Sequence, residues 1–289
     1  MNTVFYRPSA LAELLKLRAH YPQAAVLAGG TDLLVYMREG KVSAPVLLDI
    51  TGVKELRGIR EEGEAIIVGA CTTFTDTELS EVFNRRLPCL CQAAASVGSP
   101  QIRNRGTLGG SIVNANPSSD IIPVLTVAQA SVKLLSEKGS RLMSIEDFIT
   151  GNGKTALEPD EILYQISIPK PKSGARMLFE KVGRRNALAI ARLNGACMLW
   201  RAEGESGVIE DIRISIGAAT NRPIRMSEAE RLLIGRCAER TLLEEAGRIV
   251  SDTILENTGY RHSSGYKLPV AAEMSARMIQ RTWQSEAVV

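Results

Sequence analysis

A proline-containing segment, PKPKSG at positions 169–174, divides this chain of 289 residues into two regions of different character. Before it, short apolar runs of strand length alternate with segments of helical periodicity. After it, three apolar runs of strand length come first, and two or three helical segments follow. Proline and glycine interrupt regular structure, so this segment is the predicted linker. The pattern predicts an α+β protein with domains at 1–172 and 173–289.

The composition is that of an ordinary globular protein, with 45% hydrophobic and 23% charged residues. The 35 basic and 32 acidic residues give a net charge of only +3, which predicts neither a nucleic acid nor an anionic membrane as partner. No apolar run approaches the length of a membrane span, and the first residues lack the pattern of a signal peptide. We therefore expect a cytoplasmic protein.

Cysteines and histidines are too few and too scattered for a metal centre. The five cysteines, at positions 71, 89, 91, 197 and 237, lack the spacing of an iron–sulfur or zinc site, so we expect free, mostly buried thiols. The two histidines are not placed beside a nucleophile motif. A chain that performs its own acid–base chemistry needs a proton donor, whereas one whose chemistry belongs to a bound cofactor does not.

The first candidate site is the first glycine segment, residues 27–34, where a short strand runs into Gly29 and Gly30 before a helix begins. Two glycines allow the backbone to turn and to present bare N–H groups. Such groups form a nest that suits a phosphate. The alternative is an ordinary strand-to-helix turn.

The second candidate is the second glycine segment, residues 103–120, which combines three glycines and two arginines with small hydroxyl and amide side chains. It lies within a polar stretch, 98–120, that we interpret as a long loop. Loops longer than about 12–15 residues without regular structure are usually functional. The alternative is a surface loop with Asp120 as the N-cap of the next helix. Two phosphate-binding loops in one domain favour a dinucleotide over a single small anion.

A third motif, GNGKTA at 151–156, only imitates a nucleotide-binding sequence. The P-loop requires a glycine where Phe148 stands, and the dinucleotide fingerprint requires a preceding strand and a following helix. We interpret this motif as a turn.

With both glycine segments included, the sequence resembles the FAD-binding subunit of the molybdenum hydroxylases, the family of the xanthine and carbon monoxide dehydrogenases. The matching sequences appear in the family's order and cover nearly the whole chain: Arg7-Pro8, AGGTDLL at 28–34, RNRGTLGGSIVNANPSSDIIPVL at 103–125, PDEILYQISIP at 159–169, FEKVGRR at 179–185 and SGYKLPVAAEMSARMI at 264–279. The TLGG sequence with a following P-x-x-D is specific, and AGGTDLL alone is weaker.

The resemblance implies the two-subdomain FAD-binding fold of the p-cresol methylhydroxylase and vanillyl-alcohol oxidase type, with subdomains at about 1–55 and 56–172. It also implies a C-terminal domain with a three-stranded antiparallel sheet and helices. The residues that it implies for FAD binding are Val26, Leu27, Ala28, Gly29, Gly30, Thr31, Asp32, Leu33, Thr107, Leu108, Gly109, Gly110, Ser111, Asp120, Leu163 and Lys181. In that scheme Asp120 accepts a hydrogen bond from a sugar or ribityl hydroxyl, Leu163 packs on a cofactor ring, and Lys181 places a positive charge at the flavin end.

The resemblance further implies electron relay. A substrate is hydroxylated at the molybdenum cofactor of a large subunit, and electrons cross [2Fe-2S] clusters in a small subunit before FAD passes them to NAD⁺ or another acceptor. The chain departs from the family at Ala189, where an aspartate is frequent, and at Val97, where the xanthine enzymes have an aromatic residue. Both departures concern the electron acceptor. The alternatives are a self-sufficient flavin reductase of the same fold and a non-catalytic assembly subunit.

Overall fold

A computed structural model describes residues 3–185, 188–202, 204 and 207–288 of the chain. The fold mixes helices with four β-sheets. Its first sheet is parallel, with the strand order β1-β3-β2: β1 (Val4–Tyr6), β2 (Ala25–Leu27) and β3 (Val46–Asp49). Parallel neighbours require a crossover connection. Here α1 (Leu11–His20) joins β1 to β2, and α2 (Leu33–Arg38) joins β2 to β3.

The second sheet has five strands in the order β4-β5-β10-β6-β7, and all of its neighbours are antiparallel. Its strands are β4 (Ile59–Glu62), β5 (Ala65–Gly69), β6 (Ser131–Ser136), β7 (Gly139–Ser144) and β10 (Ile162–Pro169). The short hairpin β8 (Ile149–Gly151) and β9 (Lys154–Thr155) contains the GNGKTA motif, with Gly153 at φ +65°. That motif is a turn, as predicted.

Helices lie between β5 and β6 and after β7: α3 (Phe74–Glu78), α4 (Glu81–Arg86), α5 (Pro88–Ala95), α6 (Pro100–Arg103), α7 (Leu108–Asn114), α8 (Ile121–Val127) and α9 (Ile145–Phe148). The prediction of a long loop over 98–120 is therefore wrong, because α6 and α7 occupy nearly half of it and leave no long stretch without regular structure. Both have a hydroxyl cap: Ser99 accepts a hydrogen bond from the N–H of Ile102, and Thr107 accepts one from the N–H of Gly110. These caps were the sequence signal for the two helices.

After the linker, β11 (Arg176–Val182), β12 (Leu193–Arg201) and β13 (Ile209–Gly217) form an antiparallel sheet in chain order. Three helices follow: α10 (Ser227–Leu233), α11 (Arg240–Thr258) and α12 (Ser264–Gln284). Residues 188–192, which precede β12, are not part of the sheet. None of the helices that the structure describes is long and apolar enough to cross a membrane.

The C-terminal sheet is buried on both faces. Side chains such as Leu193, Cys197 and Leu199 form one hydrophobic cluster with α10, α11 and α12. Met198 and Trp200, which alternate with them along β12, belong to a cluster built mainly from the helices and five-stranded sheet before the linker. Alternating side chains of a strand point to opposite faces, which explains this division. The largest hydrophobic core therefore extends across the linker.

Candidate functional site

A cavity of about 490 Å³ lies where the first glycine segment, the second glycine segment and β10 meet. Its volume falls in the range of about 300–1,000 Å³ that is typical of small-molecule and cofactor sites. Predicted site residues that line it are Val26, Ala28, Gly29, Gly30, Thr31, Asp32, Leu33, Thr107, Gly109, Gly110, Ser111 and Leu163. Two segments that are separated by more than 70 positions in the sequence thus form one wall.

The first glycine segment presents free backbone donors to this cavity. Gly30 has φ +75°, a conformation that L side chains rarely adopt, and it turns the chain from β2 toward α2. Within the described residues, the backbone N–H groups of residues 29–32 donate to no protein acceptor. Buried or cleft-facing N–H groups are normally paired, so four consecutive unpaired donors indicate a place for an anion.

The second glycine segment differs, because its backbone donors are already used. The N–H of Leu108 donates to the carbonyl of Thr72, that of Gly109 to Ala70, and that of Gly110 to the Thr107 hydroxyl. This segment offers bare Cα surface at Gly110, which is exposed, and the Ser111 hydroxyl, which lies 2.8 Å from the Ser119 hydroxyl. The two segments therefore contribute different groups: backbone N–H donors from the first, and space and hydroxyls from the second.

Asp32 links the two segments across the cavity. Its Oδ2 accepts a hydrogen bond of 3.2 Å from Nδ2 of Asn114, at the end of α7. Burial raises the pKa of the Asp32 carboxyl above its ordinary value. A carboxylate is negative and would repel an anion bound in the nest. The contribution of Asp32 is therefore to hold the end of α7 and to accept hydrogen bonds from hydroxyl groups.

The remaining wall of the cavity is largely apolar, and most of it was not predicted. The lining residues that the sequence analysis did not assign to the site are Tyr36, Ile50, Ala70, Phe74, Val97, Gly98, Ile102, Val113, Asn114, Leu157, Glu161 and Ile162. Flat, partly apolar walls suit an aromatic ring system. Three of them had a sequence signal: Val97 is the position where relatives carry an aromatic residue, and Val113 and Asn114 lie in the second glycine segment. The others belong to separate elements that only the fold brings together.

Lys181 and Asp120 lie behind this wall and are not among the residues that line the cavity. Nζ of Lys181 lies 2.5 Å from Oδ2 of Asp120 and donates a hydrogen bond of 2.9 Å to the carbonyl of Ser96. Oδ1 of Asp120 accepts a hydrogen bond of 2.9 Å from the Asn194 amide. Burial raises the pKa of Asp120, and the charge of Lys181 opposes that rise. The pair fixes β11 and β12 to residues directly adjacent to Val97.

Two other predicted residues also lie away from the cavity surface. Leu27 packs beside Gly30, where its Cδ1 would be 3.0 Å from a Cβ at that glycine. Leu108 is fully buried in the core. The structure therefore brings most of the predicted residues together and places four of them, Leu27, Leu108, Asp120 and Lys181, in the supporting layer.

Some of the glycines are required by the protein itself. A Cβ at Gly29 would lie 2.0 Å from the carbonyl oxygen of Arg105, and one at Gly109 would lie 2.6 Å from that of Ala70. No side chain fits there with or without a ligand. Their presence is therefore no argument against the non-catalytic alternative. Gly110 is different, because a Cβ there would approach only the Thr107 hydroxyl, at 2.8 Å.

Among the described residues, no group of three or more histidine, cysteine or acidic side chains could hold a metal ion. Cys71, Cys89 and Cys197 are buried, Cys91 is half-buried and Cys237 is exposed, and all are free. Burial raises the pKa of Cys71 and Cys197 to about 12 and that of Cys91 to about 11. These thiols are therefore unreactive packing groups at neutral pH.

Comparison with known proteins identifies relatives over nearly the whole chain. Residues 1–171 match the sequence family described as the FAD binding domain in molybdopterin dehydrogenase, and residues 178–282 match the CO dehydrogenase flavoprotein C-terminal domain. The putative xanthine dehydrogenase FAD-binding subunit of Escherichia coli (strain K12) is 33% identical over 288 residues, which covers 98% of this chain and 95% of the relative. The nicotinate dehydrogenase FAD-subunit of Eubacterium barkeri is 33% identical over 268 residues, with coverage of 91% and 90%.

A solved structure of the carbon monoxide dehydrogenase from Hydrogenophaga pseudoflava matches the fold with a TM-score of 0.91 and 28% identity. The match covers 98% of each chain.

Proposed function

Because this chain belongs to the family of FAD-binding flavoproteins of the molybdopterin dehydrogenases, we propose that it is the FAD-binding subunit of a molybdenum hydroxylase complex. In that complex, electrons released at a partner's molybdenum centre cross the [2Fe-2S] clusters of a small subunit and reach NAD⁺ or another acceptor by way of this chain. The single observation that carries the FAD assignment is the row of unpaired N–H groups at residues 29–32, which faces a cavity of cofactor size.

The residues of the cavity fit the two chemical parts of a flavin dinucleotide. The free N–H groups of the first glycine segment would bind the diphosphate, and Ser111 would donate a hydroxyl from the opposite side. Leu163 and Ile162 on β10 would cover a flat ring. When bound, FAD supplies transfer of one or two electrons. The apolar wall would exclude water from that chemistry.

The protein's own contribution is to orient and to shield rather than to transfer protons. Asp32, Tyr36 and Glu161 are the titratable residues among those that line the cavity. Asp32 bonds Asn114, and Glu161 accepts two hydrogen bonds from the Arg141 guanidinium, at 2.7 and 2.8 Å. Both carboxyl groups are therefore engaged in holding the walls. A self-sufficient reductase requires an available proton donor. Neither carboxyl group is free for that role, which leaves the Tyr36 phenol, so this arrangement favours a relay subunit over a reductase that uses a carboxylic acid.

Lys181 supports the Val97 wall, and we propose that its charge acts on the flavin end through that wall. Because Lys181 is paired with Asp120, the field beyond the wall is that of an ion pair, which is stronger in a partly buried site than in water. The proposed fold is of the p-cresol methylhydroxylase type, in which the cavity lies between the parallel sheet and the five-stranded sheet. The proposed domains are 1–172 and 173–289, and the proposed location of the complex is the cytoplasm.

The test is an absorption spectrum of the purified chain with FAD, after removal of unbound cofactor, followed by addition of NADH without partner subunits. We expect one flavin per chain. Bleaching by NADH supports the link to NAD, whereas a bound flavin that ignores NADH moves the acceptor to another carrier. The Gly110→Val variant should lose the flavin while the chain remains folded, so it is the control that flavin retention depends on this cavity. A folded wild-type chain that retains no flavin would overturn the proposal in favour of an assembly role.

A further inference from the structure

A second cavity, of about 310 Å³, lies beside residues 116–118, where the two regions of the chain meet. Its lining comes from four places: the turn after α7, the β8–β9 hairpin, the turn after β13, and the segment that joins α11 to α12. We call this the junction cavity. None of its lining residues lines the cavity of about 490 Å³ between the two glycine segments and β10, which we call the FAD cavity.

The charges in the junction cavity all have one sign. Arg261 and Lys267 are its charged lining residues, and no aspartate or glutamate is among the lining residues. In the described part of the chain, neither cation has a carboxylate within 4.0 Å, although salt bridges are common elsewhere in the protein. Hydroxyl and amide side chains surround the two cations, including Ser118, Thr220 and Asn221.

Both cations are held in place by neutral acceptors. Nζ of Lys267 donates to the carbonyl of Ala218. The Arg261 guanidinium donates to the carbonyl of Thr258 at 3.2 Å and to Oδ1 of Asn221 at 3.4 Å. An ammonium has three donors and a guanidinium has five, so both retain donors for a ligand. Burial, together with the charges of Arg261 and Arg192, lowers the pKa of Lys267. An anion in the cavity would reverse that electrostatic penalty.

The backbone at this junction is strained. Ala115 and Ala218 have φ of +46° and +58°, a region that alanine rarely occupies. The N–H of Ala218 donates a hydrogen bond of 2.7 Å to the carbonyl of Pro117, which joins the two strained turns. Strained residues of this kind are concentrated at functional sites. Here the strain directs the Ala218 carbonyl toward Lys267, so it helps to fix the position of the cation.

We propose that the junction cavity is a binding site for a phosphate-bearing anion, held by Lys267 and Arg261. The volume, which reaches the lower limit for small-molecule sites, suits a phosphate together with a small attached group. Cations beside hydroxyl and amide donors match the charge and the acceptor oxygens of a phosphate. Residues 116–118, which line this site, follow directly after α7, whose Ser111, Val113 and Asn114 line the FAD cavity.

The test is isothermal titration calorimetry of the full chain saturated with FAD, so that the first glycine segment is already filled. Inorganic phosphate and ADP are titrated separately, at an ionic strength kept constant with sodium chloride. We expect saturable binding of one equivalent. Lys267→Met and Arg261→Gln should each weaken it about tenfold or more, the loss expected for one charge-assisted hydrogen bond.

Arg248→Gln is the matched control, because it removes one exposed positive charge on α11 outside the junction cavity. It should leave the affinity unchanged. Tighter binding of ADP than of phosphate identifies a nucleotide-type ligand, and equal binding identifies a site for the phosphate group alone. Absence of saturable binding with both probes, or equal affinity in the wild type and both cavity variants, would overturn the proposal. The variants lie outside the FAD cavity, so flavin absorption reports separately on the proposed function.

Discussion

The backbone of Gly29 packs against the carbonyl of Arg105 so closely that a Cβ at Gly29 would lie 2.0 Å from that oxygen. Residues 76 positions apart are thus in direct backbone contact, and the first and second glycine segments form one unit. Glycine at this position is needed for that contact, apart from any role in binding. The two glycine segments can therefore be tested separately for folding and for flavin retention.

Replacement of Gly29 by alanine should destabilise the chain even without FAD. The methyl group has only backbone to displace, and overpacking of this kind costs about 1–3 kcal/mol. Urea unfolding of the flavin-free chain measures the loss. Gly151→Ala is the matched control, since its Cβ would meet only the Lys154 side chain at 3.9 Å. Equal stability of both variants would contradict the backbone contact.

Replacement of Gly110 by valine should remove FAD binding while the chain remains folded. Gly110 lines the cavity, and the added side chain would occupy it and displace the Thr107 hydroxyl. We expect affinity to fall by about 100-fold or more, or roughly 3 kcal/mol. Flavin retained after gel filtration measures the effect, and circular dichroism reports the fold. Ser144→Ala, which removes a comparable helix cap outside the cavity, should retain flavin. Normal retention by Gly110→Val would remove the second glycine segment from the site.

Replacement of Lys181 by methionine should cost about 3 kcal/mol at neutral pH, because it leaves the buried Asp120 carboxylate without its cation. Lys181 opposes the rise in the pKa of Asp120, so that pKa rises further in the variant. A carboxyl with a raised pKa in the folded state binds its proton more tightly there than in the unfolded chain. The free energy of unfolding therefore decreases as the pH rises above about 4, the unfolded value.

The expected deficit of this variant is thus larger at pH 7 than at pH 4.5, as measured by urea unfolding at both values. Lys41→Met is the control, because Lys41 forms an exposed pair with Glu39 and such pairs contribute less than about 1 kcal/mol. A deficit independent of pH would show that the loss comes from packing of the lysine stem instead of from the charge.

Only one of the five thiols should react in the folded chain. Cys237 is exposed, whereas burial raises the pKa of Cys71, Cys91 and Cys197 to between about 11 and 12 and raises that of Cys89 as well. Thiolate is the reactive form, so iodoacetamide at pH 8 should add one group per chain by mass spectrometry. Cys237→Ser should add none until urea is present. Two or more additions to the native wild type would contradict the burial.

The sequence predicted the elements that have a clear pattern. Apolar strands such as β12, the linker and the turn at Gly153 could be predicted because hydrophobic periodicity and glycine placement are local signals. The strand β7 was missed because most of its side chains are exposed and show no apolar alternation. Helices α6 and α7 were missed because their glycines and polar residues outweighed the hydroxyl caps in the interpretation.

The sequence predicted which segments of the chain form the candidate site, but not the contacts between residues of different segments. The glycine segments have local signatures, and the family resemblance identified Leu163 on β10, which lines the cavity. The pairing of Lys181 with Asp120 joins residues 61 positions apart, and the resemblance assigned them separate roles. Nor could the sequence show that the N–H groups after Thr107 are already paired, since their acceptors, the carbonyls of Ala70 and Thr72, come from another element.

A cut at the linker would not release two independent proteins. Met177 and Trp200 follow the linker, yet they pack in the core that β5 and α8 build before it. The indole N–H of Trp200 also donates a hydrogen bond to the carbonyl of Lys172 within the linker itself. Cleavage after Lys172 should therefore leave a nicked chain whose halves stay associated and melt together in a single cooperative transition. We therefore expect the position at which the sequence changes character not to be the boundary of an independent folding unit.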